Sequence, residues 1–384
     1  MNTGIQADKL PQGESQVDTM LVTTVIALLS LGTIMVYSAT IASDSQTLEI
    51  SYKQLVRHLA HIGVGGCLMF LAILMRLNWL QASSRALLLI GLAMLLVLFI
   101  PGVGVEVNGS LRWLNAGSFR IQPSELVKVF AIIYFADYLA RKRDDLHLFK
   151  VGIINIGLVV GAIGLLLLLQ PDFGTAAVVI ATVAGMMFLA GVRFWHYVVS
   201  VGIAGSLMTA LMWMEPYRVA RLMSYRDPWA DPFGSGFQLA QALIAIGRGE
   251  WFGTGLGSSI QKLFYLPHAG NDFIIAVIAE ELGAAGVLIV IALFCVLLWR
   301  AFVIADKALA RGDRFAGFVA QGVGVLLALQ AVIHIGVNTG LLPTKGLTLP
   351  LMSYGGSSIL SSMLAIGLLL AVDRQSREGR RLST

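Results

Sequence analysis

Charge is scarce in this 384-residue chain: Asp, Glu, Lys and Arg together make up 13% of it, against about 25% in an average soluble domain. A chain so poor in charge cannot clothe a water-facing globule, which excludes a soluble enzyme. Cysteine is nearly absent. Cys67 and Cys295 are the only two, and both fall inside apolar runs, which excludes a disulfide framework or a thiolate metal cluster and leaves them as packing residues. The six histidines are scattered without ligand spacing. A clustered basic face on a soluble domain is also missing, so no nucleic-acid partner is expected. The amino terminus lacks the basic n-region and small-residue cleavage site of a secretory signal.

What is abundant is apolar sequence, 57% of residues, with a mean hydropathy of +0.79. Runs long enough to cross about 30 Å of hydrocarbon lie at 18–39, 58–76, 84–102, 123–140, 151–169, 173–192, 196–214, 273–299, 316–336 and 353–373. The expected fold is therefore an all-α polytopic membrane protein of about ten transmembrane helices spanning 18–373, with a tail at 1–17 and a basic tail at 374–384. Lys and Arg crowd one set of loops: Arg76, Arg85, Arg141 to Arg143, Lys150, Arg193, Arg300 to Arg314 and Arg374 to Arg381. By the positive-inside rule both termini are cytoplasmic. The net charge of +5 mostly records that bias.

One connection is far longer than the usual 2 to 6 residues. Residues 215–272 form a large extracytoplasmic loop between the seventh and eighth spans, and long ordered loops tend to carry function. Arg218, Arg221 and Arg226 lead there into Asp227-Pro228 and Asp231-Pro232. Phe237 to Gly247 then has helical spacing but is too short to span, and reads as an interfacial or re-entrant helix. The glycines at 247, 249, 253, 255 and 257 read first as turn chemistry.

Polar residues stand where an anchor would need none. Asp272, Glu280 and Glu281 sit at the mouth of or inside an apolar segment, where a carboxylate costs roughly 2.5 to 3.5 kcal/mol. Glu125 and Lys128, at i, i+3, share a helix face just after Pro123, a helix-starting residue. They form either an internal ion pair or part of a site. Asp172 and Asp272 each precede an apolar run and also read as helix caps. Lys345 lies in a Pro-, Gly- and Ser-rich stretch, Gly340 to Ser358, whose helix-start residues, Ser357 among them, suit an anion or close packing. His334 reads as a satisfied interhelical polar group. Glu125, Lys128, Asp172, Arg226, Asp272, Lys345 and the Ser/Gly run all fall at or near the outer face. Together they outline a cavity for an amphiphile with an anionic head group.

QPSELVK, QPDFGTA, FQLAQALIAIGRGEWFGTGLG, YLPHAGNDFIIAVIAEELG and PTKGLTLPLMSYGGSS, in this order, resemble the SEDS family of cell-wall polymerases over essentially all of 18–373. The resemblance implies a peptidoglycan glycosyltransferase that polymerises lipid II outside the bacterial inner membrane, at the division septum, with Asp272 as general base. Lys128, Arg226 and Lys345, or a divalent cation such as magnesium or manganese, would neutralise the leaving diphosphate. Glu125, Lys128 and Glu281 would line or support the cavity. A class B penicillin-binding transpeptidase and other division proteins are the implied partners. The family motif reads Pro-Glu-x-His-(Thr/Asn)-Asp-Phe, whereas this chain has His268 and Gly270 in place of the Glu and His, so no role carries over to those two. Two other readings stand beside this one: a transporter that flips lipid II, and a non-catalytic division scaffold.

Overall fold

The chain is a helical bundle, seen in a computed structural model that describes residues 17–40, 45–107, 110–116, 119–214, 216–263, 266 and 269–383. In chain order the helices are α1 (Thr19–Thr40), α2 (Ser45–Leu74), α3 (Leu77–Ala82), α4 (Ser84–Val97), α5 (Pro123–Lys142), α6 (Asn155–Leu169), α7 (Phe173–Leu189), α8 (Phe194–Trp213), α9 (Pro216–Arg226), α10 (Phe237–Gly249), α11 (Ile274–Ala310), α12 (Arg314–Asn338) and α13 (Gly356–Ser383). All ten apolar runs of the sequence coincide with helices. Seven of the described helical stretches are both long and apolar enough to cross a bilayer, in α1, α2, 150–169, α8, α11, α12 and α13. The helices α4 and α7 are apolar but shorter. Helix α5 carries Glu125, Lys128, Asp137, Arg141 and Lys142 in 20 residues.

Helices α12 and α13 are the buried centre of the bundle, while α8 has no buried residue. In lipid an apolar helix need not bury its face against protein, because hydrocarbon solvates it equally well. The same physics corrects the reading of the cysteines. Cys67 and Cys295 are exposed on their helices, facing outward instead of packing in the core.

Helix directions follow from their end contacts. The side chain of Asp18 accepts from the Leu21 N–H at 2.9 Å, as an N-cap of α1, and also binds Arg300 near the end of α11. Ser38, near the end of α1, donates to Glu281 near the start of α11, so the two helices are antiparallel. Arg377 of α13 lies 4.0 Å from Asp18, and Gln375 donates to the carbonyl of Met75 after α2. The start of α1 and the ends of α2, α11 and α13 thus share one side. Two features depart from an uninterrupted helical reading. Strands β1 (Gly104–Val107), β2 (Ser110–Ala116) and β3 (Phe119–Ile121) form an antiparallel sheet in the order β1-β2-β3, and the carboxyl-terminal basic stretch continues α13 as helix.

Helix α11 is broken at Gly283, whose φ of 69° and ψ of −170° are far from helical. The backbone of 250–255 fills the gap. Thr254 and Gly255 donate N–H bonds to the carbonyls of Glu280 and Glu281 at 2.9 and 3.0 Å, and Ala284 and Ala285 donate to the carbonyls of Glu250 and Trp251. The groups released by the break therefore find partners inside the protein, as a low-dielectric setting demands. Glycine is required for this contact, since a Cβ at Gly249 would overlap the Ala279 carbonyl and one at Gly253 the Glu281 carbonyl.

Two buried carboxylates secure the same segment. Glu280 accepts from Arg248 at 3.0 Å, from the Ser259 hydroxyl and from the Ile260 N–H. Glu281 accepts from Lys262 at 2.8 Å and from Ser38. Glu281 is accordingly no part of a cavity wall: its carboxylate is consumed in fastening the 248–262 segment to α1 and α11.

Candidate active site

Opposite the side that holds Asp18 lies a cavity of about 820 Å³. Four helices begin at its wall: Gln122 and Glu125 come from the start of α5, Asp172 to Thr175 from α7, Asp272 and Phe273 from α11, and Ser357 and Ser358 from α13. A helix start presents unpaired N–H groups and the positive end of the helix dipole. Four of them facing one space make it receptive to an anion.

Local sequence sets each start. Pro123 occupies the first turn of α5, where its missing N–H costs nothing. The Asp172 side chain caps α7 by accepting from the Thr175 N–H at 3.3 Å, so the capping alternative describes that residue. It does not describe Asp272. The N-cap of α11 is Phe273, which has no side-chain cap bond.

The backbone carrying Asp272 is held from the opposite wall. The carbonyl of Gly270 accepts from the Tyr354 N–H at 2.9 Å, that of Asn271 from the Ser353 hydroxyl at 2.6 Å, and that of Asp272 from the Asn338 carboxamide at 3.0 Å. Gly346 leaves room for the carboxylate, since a Cβ there would stand 2.9 Å from Asp272 Oδ2. Gly270, where the motif departs from the family pattern, contributes a carbonyl to this set, and His268 lies outside the described residues.

Glu125 faces the cavity while accepting from Lys128 at 2.7 Å and from Ser361 at 2.9 Å. Both members of this ion pair are buried, and Lys128 sits behind Glu125 instead of lining the space. Lys128 thereby compensates Glu125 and is not placed to meet a ligand, which corrects its reading as a cavity cation. Ser357 Oγ accepts from the Gln122 N–H at 2.9 Å and ties α13 to α5. Lys345 lines the cavity with its ammonium 4.2 Å from the centroid of Phe173, a cation–π distance. Arg226 is exposed in the last turn of α9 and does not line the cavity. Its place is taken by Arg112 of β2, which lies 3.8 Å from Asp172 and donates to the carbonyl of Pro171. The Arg218 and Arg221 side chains lie outside the described residues.

The structure thus gathers Glu125, Asp172, Asp272, Lys345 and Ser357 around one cavity, adds Arg112, and leaves Lys128, Arg226 and Glu281 off its wall. Asn338 carried no weight in the sequence. Its signal was present as a polar residue just beyond an apolar span, where helix ends need partners. His334, one turn earlier, donates from Nδ1 to the Leu347 carbonyl at 2.6 Å and is a satisfied interhelical group on that side.

Comparison with known proteins places these features in company. The family model described as cell cycle protein, covering FtsW, RodA and SpoVE, matches residues 18–378. A Nitrosococcus halophilus protein named "Probable peptidoglycan glycosyltransferase FtsW" is 48% identical over 363 residues, 94% of this chain and 93% of that protein. One of the same name from Thioalkalivibrio sulfidiphilus is 47% identical over 363 residues, 94% of this chain and 91% of that protein. A solved structure described as "Structural coordination of polymerization and crosslinking by a peptidoglycan synthase complex" is 30% identical with a TM-score of 0.77, covering 94% of this chain and 98% of that one. The rod shape determining protein RodA of Thermus thermophilus is 29% identical with a TM-score of 0.67, covering 94% and 97%.

Proposed function

Because this chain belongs to the FtsW, RodA and SpoVE family of cell cycle proteins, and is a membrane-embedded peptidoglycan glycosyltransferase, we propose that its cavity polymerises lipid II with Asp272 as general base. The observation that carries this is the meeting of Asp272 with two cations and four helix starts in a single space, where Glu125 is already paired with Lys128 and Asp172 caps α7. The sugar 4-hydroxyl attacks the anomeric carbon of a chain linked to undecaprenyl diphosphate. Its proton passes to the Asp272 carboxylate, the new glycosidic bond forms, and the bond to the diphosphate breaks with inversion. Such base assistance is typically worth 10² to 10⁴ in rate.

The leaving diphosphate needs no acid but does need countercharge. Lys345, Arg112 and the helix N–H groups supply it from this chain. A divalent cation is proposed only as a companion of the diphosphate. Among the described residues no group of three or more His, Cys, Asp or Glu side chains assembles that would hold a metal, and no step is assigned to one.

The setting we infer is the bacterial inner membrane at the septum, with both termini cytoplasmic and the cavity on the outer side. The basic residues gathered with Arg300 and Arg377 support that orientation. A class B penicillin-binding transpeptidase is the inferred partner, since one structurally similar chain comes from a complex described as coordinating polymerisation and crosslinking.

The test is polymerisation of purified lipid II by the detergent-solubilised chain with its transpeptidase, comparing wild type and Asp272→Asn at matched partner binding. Strands from wild type and a loss of at least about 100-fold in the variant support the reading. Equal strand formation removes Asp272 from the mechanism. No polymer from either, with lipid II flipping measured in vesicles, transfers the assignment to a transporter.

A further inference from the structure

From the geometry around α11 we infer that Asn338 is a positioning residue for Asp272. The inference rests on the assignment of Asp272 as base and deepens it.

Asn338 is the last residue of α12 and is fully buried. Its carboxamide is used at both ends. Nδ2 donates to the carbonyl of Asp272 at 3.0 Å and to the carbonyl of His334 in its own helix at 2.8 Å. Oδ1 accepts from the N–H of Ala276 in the first turn of α11 at 3.1 Å. One side chain therefore grips α11 on both sides of Phe273, the N-cap that provides no side-chain bond of its own.

The grip matters because of what it fixes. Asp272 lies outside the helix, so no helical hydrogen bond restrains its carbonyl. Of the three consecutive carbonyls at 270–272, the one belonging to the base is the one Asn338 holds. The carboxylate is bounded on the far side by Gly346, where even a methyl group would press on Oδ2. A rotation of the 272 peptide would move the carboxylate against that wall or away from the hydroxyl it must reach. Displacements near 1 Å are enough to cost about 10²-fold in rate.

Asparagine is the residue type this requires. It combines one donor group and one acceptor at fixed separation in an uncharged side chain. Aspartate of similar shape keeps the acceptor for Ala276 but, ionised, has no donor for the Asp272 carbonyl. A helix-capping role and a positioning role are therefore separable.

The experiment measures steady-state polymerisation of purified lipid II by the full chain with its transpeptidase partner for wild type, Asn338→Asp, Asn338→Ala, Gly346→Ala and Asp272→Asn. Rates are taken per folded complex, counted by co-elution of the two proteins. Both Asn338 variants are expected to lower kcat by about 10- to 100-fold, leaving KM for lipid II within about twofold because no cavity-lining group has changed. Gly346→Ala, which leaves the Asn338 bonds in place and crowds only the carboxylate, should lower kcat as well and keeps the test decisive if Asn338→Ala does not fold. A wild-type kcat in Asn338→Asp together with a loss in Asn338→Ala would assign Asn338 to capping and overturn the inference, as would a rise in KM at unchanged kcat. If Asp272→Asn is inactive while both Asn338 variants run at the wild-type rate, positioning alone has failed. If Asp272→Asn itself polymerises normally, the assignment of the base has failed.

Discussion

Replacing Lys262 with methionine should destabilise the protein severely, although the residue lies in a loop. Its ammonium is 2.8 Å from Glu281 Oε1, and the two side chains are 2% and 0% exposed. The same nitrogen donates to the Gly257 carbonyl at 2.8 Å and to Ser38. Removal of the cation leaves a carboxylate sealed in the protein whose partners among the described residues are the Ser38 hydroxyl and a long bond from the Ser259 N–H. Breaking one side of a buried pair costs about 3 to 5 kcal/mol, whereas removing both charges is often neutral. Lys262→Met should therefore lose about 3 to 5 kcal/mol, and Lys262→Met combined with Glu281→Gln should recover most of it. Reversible unfolding in mixed detergent micelles, followed by tryptophan fluorescence, gives both values and the coupling between them. A single variant within about 0.5 kcal/mol of wild type, or a double variant as weak as the single, would refute the view that this pair fastens the 248–262 segment.

Asp18 predicts a pH response. Burial alone would raise its carboxyl, but hydrogen bonds from Arg300 and the Leu21 N–H, with the nearby charges of Arg300 and Arg377, hold it below its ordinary 3.8. A depressed folded-state value means stability that is present above 3.8 and lost as pH falls through the lower folded value; Asp18→Asn should flatten the acid limb of an unfolding-versus-pH curve. Gly253→Ala should cost at least about 1 to 3 kcal/mol, because the added Cβ meets the Glu281 carbonyl and φ is +77°, and a thermal melt reads the loss. Lys345→Met should lower kcat/KM for lipid II polymerisation by about 10- to 150-fold, the equivalent of a charge-assisted hydrogen bond of about 1.5 to 3 kcal/mol.

The bundle was legible because lipid imposes a strong rule: a run of about 20 apolar residues is a helix. The rule weakens where protein replaces lipid. Helix α5 carries five charged residues, and its run was still recognisable because Glu125 with Lys128 and Asp137 with Arg141 neutralise each other. The sheet at 104–121 stayed hidden in a short polar connection, and the extension of α11 to Ala310 was hidden by Arg300 and Lys307, which read as loop. Within the site, Asp272, Glu125, Lys345 and Ser357 were singled out because polar groups beside apolar runs demand a reason. Arg226 misled for the opposite cause: beyond the membrane, exposed arginines are ordinary. Asn338 and Gly346 were passed over because their importance lies in what they touch across the bundle, and one sequence holds no record of those contacts.

Two roles for acidic residues on one helix follow from where the helix stops being a helix. Asp272 precedes the first turn of α11, where the backbone is not yet committed and a side chain can face a cavity. Glu280 and Glu281 come just before the break at Gly283, where the released carbonyls accept from Thr254 and Gly255. Among the described residues the carboxylates there accept from groups of the 248–262 segment and α1. That stitching brings α10 against the first half of α11, with Gly249 against Ala279. The half-helix that carries the candidate base at its tip is therefore pinned twice, by ion pairs at its far end and by Asn338 at its near end. A mobile start to α11 would carry Asp272 away from its place on the cavity wall. The buried glutamates, expensive in an apolar segment, hold rigid the element on which the candidate base sits.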